Sequence, residues 1–187
     1  MKLWPAWIAM TYVALAVQPA VADDYSDTAA LFKDAGASAA FFNSSYGYAI
    51  FPTIGKGGVF VGGAHGKGRV FKKGTYVGNT SMTQVSVGLQ FGGQAYSEII
   101  FFEDQRAFDE FTSGNFEFSG NVSAVAITAG ASASAGTGGT TAGASGGMKD
   151  ATTTGGYQKG LAVFTIAKGG LMYEASVSGQ KFTYTAK

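Results

Sequence analysis

The chain contains no cysteine, and histidine occurs once, at His65. Disulfides, thiolate zinc sites, iron–sulfur clusters, cysteine nucleophiles and multi-histidine metal sites are therefore excluded. Charge is scarce as well: Asp, Glu, Lys and Arg make up 13% of the 187 residues, about half the usual share. Much of the surface must then be Ser, Thr, Asn, Gln, Gly and backbone. Proline is limited to three residues, and only Pro52 lies beyond residue 22.

Glycine, by contrast, is abundant, with 29 residues. It follows no Gly-x-y period, so a collagen helix is excluded. Long regular helices are disfavoured, because an interior glycine costs roughly 1 kcal/mol against alanine. Hydrophobic residues make up 46%, which suits a folded chain and argues against intrinsic disorder. The length suits one domain.

Residues 1–22 have the layout of a secretory signal peptide. Lys2 gives a basic start, Leu3 to Val17 is mostly apolar, and Ala20-Val21-Ala22 offers a small-x-small cleavage site before Asp23-Asp24. The expectation is cleavage after Ala22 and an exported protein, periplasmic or secreted and peripheral to a membrane, with one domain over 23–187.

Charge is segregated along that domain. Residues 35–97 contain no acid and five bases: Lys56, Lys67, Arg69, Lys72 and Lys73. Residues 98–117 carry Glu98, Glu103, Asp104, Asp109, Glu110 and Glu117 against Arg106 alone. The basic run fits a cationic patch for an anionic partner. It equally fits a solvated strand face whose lysines blunt a sheet edge.

Periodicity assigns the elements. Residues 26–43 read as a helix capped by Ser26 or Asp27, with Leu31, Phe32, Ala35, Ala39 and Phe42 at helical spacing. From Tyr46 the pattern becomes strand-like. Tyr46–Phe51 ends at Pro52, and Val59–Val61 and Arg69–Phe71 are short strands around a glycine-rich loop. Gln84–Phe91 alternates, with Val85, Val87, Leu89 and Phe91 on one face and Gln84, Ser86, Gly88 and Gln90 on the other. Glu98–Phe102 is a strand, and Asp104 caps a short helix near 104–112. Residues 130–147 contain only Gly, Ala, Ser and Thr and read as a flexible loop. Leu161–Ala167, Leu171–Val177 and Lys181–Tyr184 return to strands. The expected class is α+β: one mostly antiparallel sheet with an N-terminal helix and a second short helix.

Motifs for chemistry are few. A P-loop needs G-x-x-x-x-G-K-[ST]. Gly66-Lys67 has Val61 and Gly68 at the deciding positions, and Gly55-Lys56 has Ile50 and Gly57. What remains is a set of glycine amides (Gly55, Gly57, Gly58, Gly66, Gly68) beside lysines, an arrangement able to cradle phosphate as a backbone nest. His65 reads as a turn residue or an anion contact. Glu103-Asp104 and Asp109-Glu110 read as a helix cap and a solvated face. No cofactor and no enzyme activity are expected. Nucleic acid is set aside as a partner because the exported chain has no net basic excess.

The ordered series Tyr46-Gly-Tyr-Ala-Ile-Phe-Pro52, Ile54-Gly-Lys-Gly-Gly58 and Gly62-Gly-Ala-His-Gly-Lys-Gly68 resembles the signature of the SYLF-domain family. The resemblance continues through Gly88–Gln94 and Glu98–Phe102, and spans roughly residues 25–185. It implies non-catalytic binding of anionic phospholipid, with phosphoinositide and actin binding in some eukaryotic relatives. For an exported chain, actin is not the expected partner. The family's Gly-Lys motif falls on Lys56 and Lys67. His65, Arg69, Lys72 and Lys73 complete the expected lipid-binding set, with Gly55, Gly57, Gly58, Gly66 and Gly68 as phosphate-contacting glycines. The alternative is an envelope protein whose basic face docks on the acidic 98–117 segment of a second copy.

Overall fold

The computed structural model describes residues 23–59, 61–87, 94–118, 124–127, 156–168, 177 and 179–187. The expectations for 1–22, 130–147, 88–91 and 171–176 lie outside those residues.

The described residues form eight strands: β1 (Gly47–Val59), β2 (Val61–Lys72), β3 (Thr75–Val87), β4 (Gln94–Phe102), β5 (Phe116–Glu117), β6 (Ala124–Ile127), β7 (Leu161–Lys168) and β8 (Gln180–Ala186). They form one sheet in the order β5-β8-β3-β2-β1-β4-β7-β6. All pairs are antiparallel except β6 with β7. Four helices among the described residues accompany the sheet: α1 (Asp24–Asp34), α2 (Gly36–Ala39), α3 (Phe41–Ser44) and α4 (Gln105–Phe111). The α+β class read from the sequence is therefore the observed one.

Side chains alternate between the two faces of the sheet, here called inner and outer, and each face has its own apolar cluster. The inner face holds Ala49, Phe51, Ile54, Val70, Met82, Ile100, Phe102 and Phe182, and α4 packs onto it through Ala107, Phe108 and Phe111. Phe182 lies within ring-contact distance of Phe51, Phe111, Phe116 and Phe118. Burying each such ring contributes about 1.5–3 kcal/mol. The outer face is apolar over β1, β4 and β7, where Phe32, Ile50, Ile99, Phe101 and Phe164 are buried against Phe41 and Phe42 of α3 and Ala29 of α1.

Three differences from the sequence reading have physical causes. The N-terminal helix breaks at Ala35, whose backbone is extended (φ −79, ψ 112), and Asp23 supplies the N-cap. The bend turns α3 so that its two phenylalanines reach Phe101.

The expected glycine-rich loop is strand. β1 runs past Pro52 with a bulge between Phe51 and Ile54, and β2 is continuous from 61 to 72. Its inward glycines make room for larger neighbours. A Cβ on Gly66 would lie 2.6 Å from the Ile54 side chain, and one on Gly68 would lie 2.6 Å from the Phe51 ring. Real Cβ atoms do not approach so closely, so these glycines are set by packing.

β3 starts at Thr75, well before the expected Gln84, and its buried face is the one that carries Gln84. Gln84 is buried and Val85 is 77% exposed. Residues of one strand alternate between faces, and Met82 and Thr80 already face inward on this strand. Gln84 must follow them, and it reaches a polar end of the interior.

Candidate functional site

The antiparallel register fixes where each basic residue lies. On β2, the exposed His65 and Lys67 and the half-buried Arg69 alternate with buried Ala64, Gly66, Gly68 and Val70. All three therefore project from the outer face. Lys56 pairs with Ala64, so it falls on the opposite face, at the inner rim. Lys72 pairs with Gly47 at the far end of the hairpin, where its ammonium sits 5.2 Å from the Tyr46 ring centre and 5.5 Å from that of Phe108. A hydrogen bond to Tyr46 raises the Lys72 pKa. Lys73 occupies the β2–β3 turn with positive φ, beside Gly74, and also lies over Tyr46. The five bases of the acid-free run thus occupy three places, and only Lys67 and Arg69 share one with His65.

Arg69 is largely engaged. It is paired to the Asp23 carboxylate and lies 4.1 Å from the Tyr25 ring centre. This clasp fixes the start of α1 against β2. Burial raises the Tyr25 pKa, and the nearby guanidinium partly offsets that rise. Lys67 has no carboxylate partner among the described residues. Between α1 and the β1–β2 hairpin lies an open depression of about 380 Å³, lined by Asp24, Tyr25, Thr53, Gly55, His65 and Lys67. Lys168 of β7 reaches the same rim and donates a hydrogen bond to Thr53 Oγ1 at 2.7 Å. The expected glycines are ladder residues here: Gly55 opposes His65, Gly57 opposes Gly63 and Gly58 opposes Gly62. Gly66 and Gly68 oppose Met82 and Thr80.

Beyond β2 the outer face continues uncovered by helix among the described residues. His65, Lys67 and Arg69 stand opposite Thr83, Ser81 and Asn79 of β3. These in turn stand opposite Lys181, Thr183 and Thr185 of β8. No acid occurs in β2, β3 or β8. Val85 extends the β3 row by one apolar side chain.

A family model described as Ysc84, Las17-binding protein actin regulator, matches residues 83–186, more than half of the chain. The chain belongs to the SYLF (Ysc84) family. A curated relative, Beta cell expansion factor A of Aeromonas veronii, is 29% identical over 154 residues, 81% of this chain and 51% of the relative. The chain spans about half the length of that relative. Neither description is that of an enzyme.

This SYLF chain carries features that the sequence reading did not single out. Lys168 lies 115 positions from Thr53, and only the β1–β4–β7 pairing brings them together. Glu98, expected to contribute to an acidic face, is fully buried in the interior. Its Oε2 accepts a hydrogen bond from Gln180 Nε2 at 3.0 Å, and the same amide donates to Tyr96 Oη at 3.2 Å. Among the described residues, Glu98 Oε1 and Gln180 Oε1 have no hydrogen-bond partner. Burial pushes the Glu98 carboxyl up to about 7, with the Gln180 hydrogen bond pulling the other way. Burial raises the Tyr96 phenol as well. The available signal was Glu98's place at the head of the apolar run Ile99-Ile-Phe-Phe102.

Proposed function

We propose that this SYLF protein binds anionic phospholipid head groups at a membrane surface, without catalysis, through the outer face of β2 and its neighbours. The observation that carries the reading is the exposed Lys67, unpaired among the described residues and set in three adjacent strands that contain no acid. Lys168 at the rim and Lys181 on β8 add charge to the same side. Val85, 77% exposed, adds an apolar contact at the end of the patch. Each basic residue near an anionic membrane is worth about 1 kcal/mol. Lys67 and Lys168 together then give about 2 kcal/mol, a weak association that fades with salt, and Lys181, 3.5 Å from Glu117, adds less.

Vesicle co-sedimentation tests this. Wild type is expected to pellet with vesicles containing anionic lipid at low salt, and less at high salt or with neutral vesicles. Lys67→Glu combined with Lys168→Glu is expected to abolish pelleting. Lys56→Glu, on the other face, is expected to leave it intact. Equal loss in both variants would overturn the placement, and no pelleting of wild type with any vesicle would overturn the function.

A further inference from the structure

The depression between α1 and the β1–β2 hairpin carries both signs of charge. Asp24 and Tyr25 line it from the start of α1, Thr53 and Gly55 from β1, and His65 and Lys67 from β2. Asp24, His65 and Lys67 are all exposed. Among the described residues, neither the Asp24 carboxylate nor the Lys67 ammonium belongs to an ion pair. The neighbouring acid, Asp23, is already held by Arg69, and Lys168 at the rim is spent on Thr53. One free anion and one free cation therefore line the same small cavity without meeting. Such a pair is complementary to a ligand that is itself dipolar.

The glycine in this cavity is not explained by packing. A Cβ on Gly66 would collide with Ile54 at 2.6 Å, but one on Gly55 would meet nothing within 4 Å. A strand glycine costs stability, and one without a packing reason marks a place where a ligand approaches the backbone closely. Bare backbone at Gly55 keeps about 380 Å³ open, room for a head group. Tyr25 is the aromatic residue among the lining residues, and the Arg69 guanidinium already lies 4.1 Å from its ring centre. A single occupied ring is not the aromatic cage that a quaternary ammonium takes. A primary ammonium instead brings N–H donors, which a carboxylate accepts in charge-assisted hydrogen bonds.

We propose that this depression receives the phosphoethanolamine unit of a phospholipid head group, with the phosphate on Lys67 and His65 and the primary ammonium on Asp24. The inference rests on the head-group reading above. Anionic lipid brings the chain to the membrane, and the depression then selects among the head groups it meets there.

The test uses vesicles with one fixed mole fraction of phosphatidylglycerol, the remainder being phosphatidylethanolamine in one set and phosphatidylcholine in the other. The full chain is expected to bind the phosphatidylethanolamine set about three- to tenfold more tightly, the worth of roughly one net hydrogen bond. Asp24→Asn is expected to remove that preference and to keep binding to the phosphatidylcholine set. Gly55→Val fills the depression with a residue that suits a strand. It is expected to remove the preference with an unchanged or higher thermal midpoint. Soluble glycerophosphoethanolamine is expected to cancel the preference, and glycerophosphocholine to leave it. Equal wild-type binding to the two sets would overturn the selectivity and leave the head-group reading standing. A preference that survives either variant would overturn its placement in this depression. A preference that survives glycerophosphoethanolamine would belong to bilayer packing and overturn the head-group assignment. Absence of binding to both sets would overturn the inference together with the reading beneath it.

Discussion

Gly68 and Gly57 occupy neighbouring strands and serve opposite ends. A Cβ on Gly68 would meet the Phe51 ring at 2.6 Å and the Ile50 carbonyl at 2.8 Å, whereas one on Gly57 would meet nothing within 4 Å. The Phe51 ring has little room to retreat, because it packs on Phe182. Gly68→Ala is therefore expected to destabilise by about 1–3 kcal/mol through overpacking. Gly57→Ala is expected to be neutral or slightly stabilising, since strand glycine carries an entropic cost. Thermal unfolding of the two variants checks the contrast, and equal shifts would show that the glycine pattern is not set by packing. Nothing in the local sequence separates the two residues, since both lie in Gly-Lys-Gly triplets. What separates them is the partner strand.

At the scale of elements, legibility followed apolar periodicity and failed where glycine replaced it. β7 and β8 emerged near their observed bounds, because Leu161–Ala167 and Lys181–Tyr184 carry strand-forming side chains at every inward position. The short helix α4 was legible from its cap: Asp104 accepts a hydrogen bond from the Ala107 amide at 2.8 Å. Because α4 delivers Phe108 and Phe111 to the interior, Asp104→Ala is expected to cost about 1 kcal/mol, read as a lower urea midpoint with unchanged slope. β2 was read as short pieces around a loop because its inward Gly62, Ala64, Gly66 and Gly68 present no apolar alternation, and β1 was ended at Pro52, which the strand passes by a bulge. The same omission blurred the site. Five bases adjacent in sequence were expected to act together, yet a register position, a hairpin turn and an ion pair to α1 send them to three places. The polar row Asn79, Ser81, Thr83 of β3 was not singled out in the sequence, and its continuation onto β8 follows only from the sheet order.

At the scale of the whole molecule, Glu98 couples stability to pH. Its carboxyl ordinarily titrates at 4.5 when solvated and is pushed up to about 7 in the folded protein. Between those values the folded state holds the proton that the unfolded state releases. The contribution is therefore complete below pH 4.5, declines as pH rises toward 7, and is flat above. The loss amounts to about 3 kcal/mol across that window. The urea midpoint of wild type is expected to fall between pH 5 and pH 8. Glu98→Gln is expected to remove most of that slope and to exceed wild type in stability at pH 8. A wild-type midpoint independent of pH over that range would mean that Glu98 is not buried without a counter-charge.

The position of β8 also has a consequence in time. It lies between β3 and β5 and brings Phe182 and Gln180 into the interior. Its partner β3 is translated about a hundred residues earlier. A growing chain can pair β1 through β4 in order, yet the long edge of β3 stays open until residues 180–186 have been made. Late closure of this kind slows folding and leaves an unpaired strand exposed to wrong partners in the meantime. β3 carries no charge, no proline and a single glycine, so its open edge invites wrong pairing until β8 covers it.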